Sequence, residues 1–192
     1  MKSGYILPFA LALAACSGAD NNPPTETTTV ASEPMVPESA APMAGTPATP
    51  VDAASYISKA GAGDLWEIES SKALLAKSTN SEVKAFAQMM IDHHGKSTAQ
   101  VKAAASEAEM TISPPDLDAE QRTMLAKIKA ADAATVDEIY LMHQKTAHEA
   151  ALALHQGYAA SGDTAPLKRS AREIVPIIET HRTALAKLTP AR

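Results

Sequence analysis

From residue 52 to near the C-terminus, apolar side chains recur at steps of three and four, a period that suits packed α-helices and not strands. Aromatic residues make up only 4% of the chain, so its core must be assembled from Ala, Leu, Ile, Val and Met. That composition favours helices lying close together. Breaks in the pattern divide the region. A first helix is expected over about 53–78 with Asp52 as its cap, and a second over about 81–109 after Thr79-Asn80-Ser81-Glu82, a break followed by a capping-box pattern. Pro114-Pro115 forces a loop over 110–117. A shorter helix follows over about 118–131. Thr135-Val136-Asp137-Glu138 reads as another capping box, opening a helix to about 160 that Ser161-Gly162-Asp163 ends. A last helix runs over about 164–188 with Pro176 inside it, where a bend and a freed carbonyl are expected. The expectation is an all-α, antiparallel four-helix bundle over 52–192, with a short extra helix between the second and third long ones.

Each stripe carries one metal-capable residue. The first reads Tyr56, Ala60, Gly63, Glu67, Ser71, Leu74, and the second Val83, Phe86, Met90, His94, Ser97, Val101. The third reads Val136, Tyr140, His148, Leu152, with a looser step across 143–147. The fourth reads Leu167, Ala171, Ile174, Ile178, His181, Leu185, Leu188. Glu67, His94, His148 and His181 thus fall near the middle of four facing stripes. A buried Glu or His costs several kcal/mol unless it is paired, so four of them are tolerable chiefly if they meet. Three imidazoles and a carboxylate could bind a divalent ion such as Zn, Fe, Mn or Cu. They could equally satisfy one another by hydrogen bonds. His93 lies one residue off its stripe and is expected at the bundle edge or in solvent, and His155 at the surface. Glu69 is expected to face outward or towards a neighbouring helix. Met89, Met90 and Met142 beside histidines would suit copper, although Met in an Ala-rich helix usually fills core.

The first 51 residues have another texture. Lys2 and the apolar stretch Ile6–Ala15 form a segment too short to span a bilayer, and Leu13-Ala14-Ala15-Cys16 resembles the lipobox of bacterial lipoproteins. That resemblance implies a signal peptide over 1–15 and lipidation of Cys16, the single cysteine. The membrane is then a partner through the anchor. Ser17, where Asp would retain a lipoprotein at the inner membrane, implies an outer-membrane address facing the periplasm. Residues 17–51 are rich in Pro, Ala and Thr with no Lys or Arg, and read as a disordered tether beginning at the lipidated Cys16.

The segments Phe86-Ala87 to Met90 to His94, then Tyr140 to His148, then Gly162-Asp163, Leu167-Lys168 and Pro176 to His181 resemble the bacterial family catalogued as domain of unknown function 4142. The resemblance covers essentially all of 53–188. It implies a ferritin-like helical bundle, commonly exported or lipid-anchored, with no established activity, and it places Glu67, His94, His148 and His181 at recurrent polar positions. One departure stands out: His93 occupies the place before the motif His where the family usually has Asp, and Asp92 precedes it. Met89-Met90-Ile91-Asp92-His93-His94 also resembles, locally, a second ferritin-like family of unknown function.

Several function classes are excluded. A di-iron carboxylate site needs Glu-x-x-His on two helices, and no Asp or Glu here has a His three residues later. The net charge is −5 with no basic run, which argues against nucleic acid as a partner. There is no Gly-rich phosphate loop, no nucleophile elbow and no Cys nucleophile in the helical region. What remains is a lipid-tethered bundle acting as a binding or envelope-stress module with a mononuclear metal site. The alternatives are a metal-dependent redox enzyme or copper or haem carrier, and a purely structural interaction module.

Overall fold

A computed structural model describes residues 52–190, and within them the chain is helical, with no strand. The expected signal segment 1–15, Cys16 and the tether lie outside the described residues. Five helices follow: α1 (Ala53–Leu75), α2 (Ser81–Glu107), α3 (Ala119–Ala130), α4 (Val136–Ser161) and α5 (Ala165–Leu185).

The ends of the helices follow from local chemistry. The Asp52 carboxylate accepts from the Ser55 amide at 2.9 Å and starts α1, and the Asn80 side chain accepts from the amides of Glu82 and Val83 to start α2. The reciprocal capping box forms at α3, between Asp118 and Gln121. The box expected at Thr135 does not form. There Asp132 takes the Thr135 amide and hydroxyl onto its own Oδ1, which leaves the hydroxyl no reach to α4. Pro176 sits inside α5, which continues through it to Leu185. Glu109, just past α2, adopts φ 56°, and Met110 reaches back to the Ala105 carbonyl.

The order of the helices around the bundle is α1, α2, α5, α4, with each long helix packed on its two neighbours. Bonds from Tyr56 to His155, Gln144 to Glu67 and between Ser71 and Tyr140 run in opposite sequence order, so α1 and α4 are antiparallel. Bonds pairing His93 with His181 and Gln100 with Glu173 make α2 and α5 antiparallel as well. Hence α2 and α4 point the same way on a diagonal, and the link between them must travel the length of the bundle, about 40 Å for a helix the size of α2. Short connections join α1 to α2 and α4 to α5. The α2–α4 connection is a long crossover, the ferritin-like topology, and it carries α3 across α1 and α4. Gly61 on α1 lets this crossover lie close, since a Cβ there would sit 3.1 Å from Pro115.

The core forms two apolar clusters. One gathers Leu74, Val83, Phe86, Met90, Ile128, Tyr140 and Leu185; the other gathers Tyr56, Val101, Tyr158, Leu167 and Ile174 near the opposite end. Along each long helix, a set of buried polar residues lies between these two clusters.

Candidate metal centre

His94 from α2, His148 from α4 and His181 from α5 meet on the bundle axis, each offering a ring nitrogen within 4.8 Å of the other two. They are 6%, 1% and 1% exposed. Each is held from behind. His94 Nδ1 donates to Asp64 Oδ1 at 2.7 Å, and Asp64 Oδ2 in turn accepts from the Thr98 hydroxyl at 3.0 Å. His148 Nδ1 donates to the Gln144 carbonyl at 2.9 Å. With that proton on Nδ1, its Nε2 is an acceptor, and His181 Nδ1 donates to it at 3.2 Å. His181 Nε2 must then accept from His93 Nδ1 at 2.8 Å. His94 Nε2 carries a lone pair, is fully buried and has no partner.

Glu67 shares this layer but stands behind His148. Its Oε1 lies 3.4 Å from His148 Nδ1, and its Oε2 accepts from Gln144 Nε2 at 2.6 Å. Glu67 therefore stands outside the three-nitrogen group and supports a ring within it. A carboxylate so placed fixes the tautomer and raises the basicity of its imidazole.

The protonation of the layer follows from these contacts. Burial works against a cation at His94, but the hydrogen bond to Asp64 and the Glu67 carboxylate outweigh it and raise its pKa. Burial lowers His148, only partly offset by Glu67. His181 is pushed down to about 2 by burial and by its three imidazole neighbours. The first proton taken up by the cluster therefore goes to His94.

All four expected site residues occupy the central layer, with the three histidines converging. Asp64 and Gln144 belong to it as well, and both were legible. Asp64 lies four residues from Ala60 and three from Glu67, on the stripe where Gly63 was placed; Gly63 is only half-buried. Gln144 sits midway between Tyr140 and His148 and fills the loose step of α4. His93 is at the half-buried edge, bonded inward to His181. His155, expected at the surface, is 4% exposed and bonded to Tyr56, because it continues the α4 stripe from His148 by steps of four and three. Met142 is exposed and supplies no sulfur to this layer. Glu69 faces outward and pairs with Lys72.

A cavity of about 630 Å³ abuts the layer, with His94, His181 and His155 among its walls.

The molecule is thus a crossover four-helix bundle with a buried polyimidazole layer. The family model for a domain of unknown function (DUF4142) matches residues 38–188, and the chain belongs to that family. Two solved structures share the fold. The crystal structure of a DUF305 protein from Streptomyces coelicolor is 14% identical with a TM-score of 0.59, covering 70% of this chain and 88% of that one. A DUF305 fragment from Deinococcus radiodurans is 17% identical with a TM-score of 0.58, covering 71% of this chain and 96% of that one. No curated protein matches the sequence.

Proposed function

We propose that the bundle holds one divalent transition-metal ion on His94, His148 and His181, in an exported protein tethered to the membrane by a lipid on Cys16. The observation that carries the metal reading is His94 Nε2: a fully buried lone pair with no protein partner, in a triangle with two other imidazoles. Leaving such a group unmatched costs about 1–3 kcal/mol, and an ion offsets that cost for the set. Tetrahedral bonds of about 2.0–2.1 Å hold nitrogens about 3.3 Å apart. The His148–His181 pair already stands at 3.2 Å, so His94 is the ring that closes in. His94 and His148 would bind through Nε2 as they stand. His181 would offer Nδ1 by carrying its proton on Nε2 instead, and His93, at the half-buried edge, would carry its own on Nε2 so that its Nδ1 accepts from His181. Three neutral nitrogen donors, two of them backed by carboxylates, suit Zn or Cu better than the harder ions.

Export rests on the lipobox-like Leu13-Ala14-Ala15-Cys16, and the Streptomyces coelicolor relative carries the words "secreted protein" in its name. Among the described residues no helix is long and apolar enough to cross a membrane. Cys16→Ser should abolish labelling by a fatty-acid probe and release the protein from membranes; persistent labelling overturns the anchor.

The metal is tested by metal analysis and thermal melting of the full chain, before and after chelation. One ion per chain is expected, and saturation at a hundredfold excess over Kd should add about 2.7 kcal/mol of stability. His181→Ala should lower the stability of loaded protein and remove the response to chelator. Identical melting curves with and without chelator, in protein exposed to Zn, Fe, Mn and Cu, would leave a hydrogen-bonded imidazole core and no metal site.

A further inference from the structure

The cavity beside the imidazole layer arises from residue size. Ala62 and Gly63 on α1 and Ala147, Ala150 and Ala151 on α4 all line it, and a Cβ added at Gly63 would meet nothing within 4 Å. Small residues alone would be weak grounds for a ligand. His155 supplies the second observation. It is 4% exposed, lines the cavity, and its Nδ1 is engaged by the Tyr56 hydroxyl at 3.0 Å, while Nε2 makes no hydrogen bond to the protein. Tyr56 has no other acceptor, so its hydroxyl donates to Nδ1 and the imidazole proton sits on Nε2. Tyr56 is itself fixed by stacking on Tyr158 with centroids 3.9 Å apart. A positioned N–H in a largely apolar chamber is the usual polar anchor of a small-molecule site.

We propose that this cavity binds a small, neutral, mostly apolar molecule whose carbonyl-type oxygen accepts a hydrogen bond from His155 Nε2. Charge selects the class. The acidic groups lining the cavity, Asp64, Glu67, Asp116, Asp118 and Glu120, outnumber its one lysine, Lys59, so an anion is rejected. Asp64 and Glu67, the two buried carboxylates, are committed to His94, Thr98, Gln144 and His148, and Asp116, Asp118 and Glu120 are exposed to solvent, which leaves no buried carboxylate to pair with a cation. A neutral acceptor with an apolar body satisfies both conditions. The site does not require the metal, since His155 is hydrogen-bonded to Tyr56 and to none of the three converging imidazoles.

A matched pair of probes isolates the donor: α-tetralone, a bicyclic ketone, and tetralin, the hydrocarbon of the same shape. Binding is measured by calorimetry on the full chain after chelation, so that the outcome is independent of the metal proposal. The chain's single tryptophan, Trp66, lines the cavity, and its fluorescence reports occupancy. α-Tetralone should quench Trp66 and bind about tenfold tighter than tetralin, the ratio expected for one buried hydrogen bond. In Tyr56→Phe/His155→Leu, which removes both members of the buried pair, the ratio should fall to about one while tetralin still binds. His155→Gln, which keeps a side-chain N–H, should retain part of the preference. No binding of α-tetralone at millimolar concentration, or an unchanged ratio in the double variant with a wild-type helical spectrum, overturns the proposal.

Discussion

The apolar cluster around Phe86 and the imidazole layer beside it are buried to the same degree, yet they hold the bundle together by different rules. Phe86, Leu74, Val83 and Met90 are satisfied by any neighbours of the right shape. His94, His148 and Gln144 are held by particular atoms: an Asp64 oxygen, a backbone carbonyl, a Glu67 oxygen. In the first region the cost of a substitution follows lost volume. In the second it follows the partners left behind and depends on pH and on any ion bound. A core can therefore be equally buried throughout and still respond to solution conditions in one layer alone.

The largest effect should come from the region that ignores solution conditions. Phe86→Ala is expected to cost about 3–5 kcal/mol in urea unfolding, equally with and without chelator. A chelator-dependent loss would erase the distinction between the two regions.

The polar residues should show themselves through pH. Burial pushes His155 down to about 4, while the unfolded chain titrates near 6.5. Between those values the unfolded state binds the extra proton, so stability is complete above about pH 6.5 and falls as pH drops towards 4. The difference corresponds to about 3 kcal/mol. His181, pushed to about 2, adds a loss of the same sign in metal-free protein. Urea midpoints from pH 7 to 4 measure the slope, and Tyr56→Phe/His155→Leu should make it shallower. An unaltered slope would show that His155 does not titrate as its burial demands.

A smaller effect separates partner from volume. Asp64→Ala removes few atoms but strands His94 Nδ1, at about 1–3 kcal/mol, while the Thr98 hydroxyl keeps the His94 carbonyl as an acceptor. If the metal is present, its affinity should fall about 10–100-fold, read by competition with a chromophoric chelator. A stability loss with unchanged affinity would confine Asp64 to a structural role.

The smallest effect lies outside both regions. Glu109 holds a left-handed φ of 56° at the end of α2, and Glu109→Gly should raise stability by up to about 1 kcal/mol. A loss there would mean that the Glu109 side chain contributes more than its backbone strain removes.

Much of the site could be read from spacing, because buried positions on a helix recur at three and four whatever their chemistry. Val83, Phe86, Met90, His94, Ser97 and Val101 are all buried as the α2 stripe requires. The same rule, followed strictly, includes Asp64, Gln144 and His155. Polarity does not remove a residue from a stripe when a partner waits across the bundle.

By itself the sequence determined the helices, their buried faces and the gathering of polar residues at one level, since these depend on local period and on the cost of burying unpaired charge. The tertiary structure decided the rest. The crossover that makes α2 and α4 parallel set which helices are neighbours, and so gave His94 to Asp64, His148 to Gln144 and Glu67, and His181 to His93. Hydrogen bonds need a partner within about 3 Å along a particular direction, and a periodic pattern specifies the face of a helix but not its rotation or height against the next.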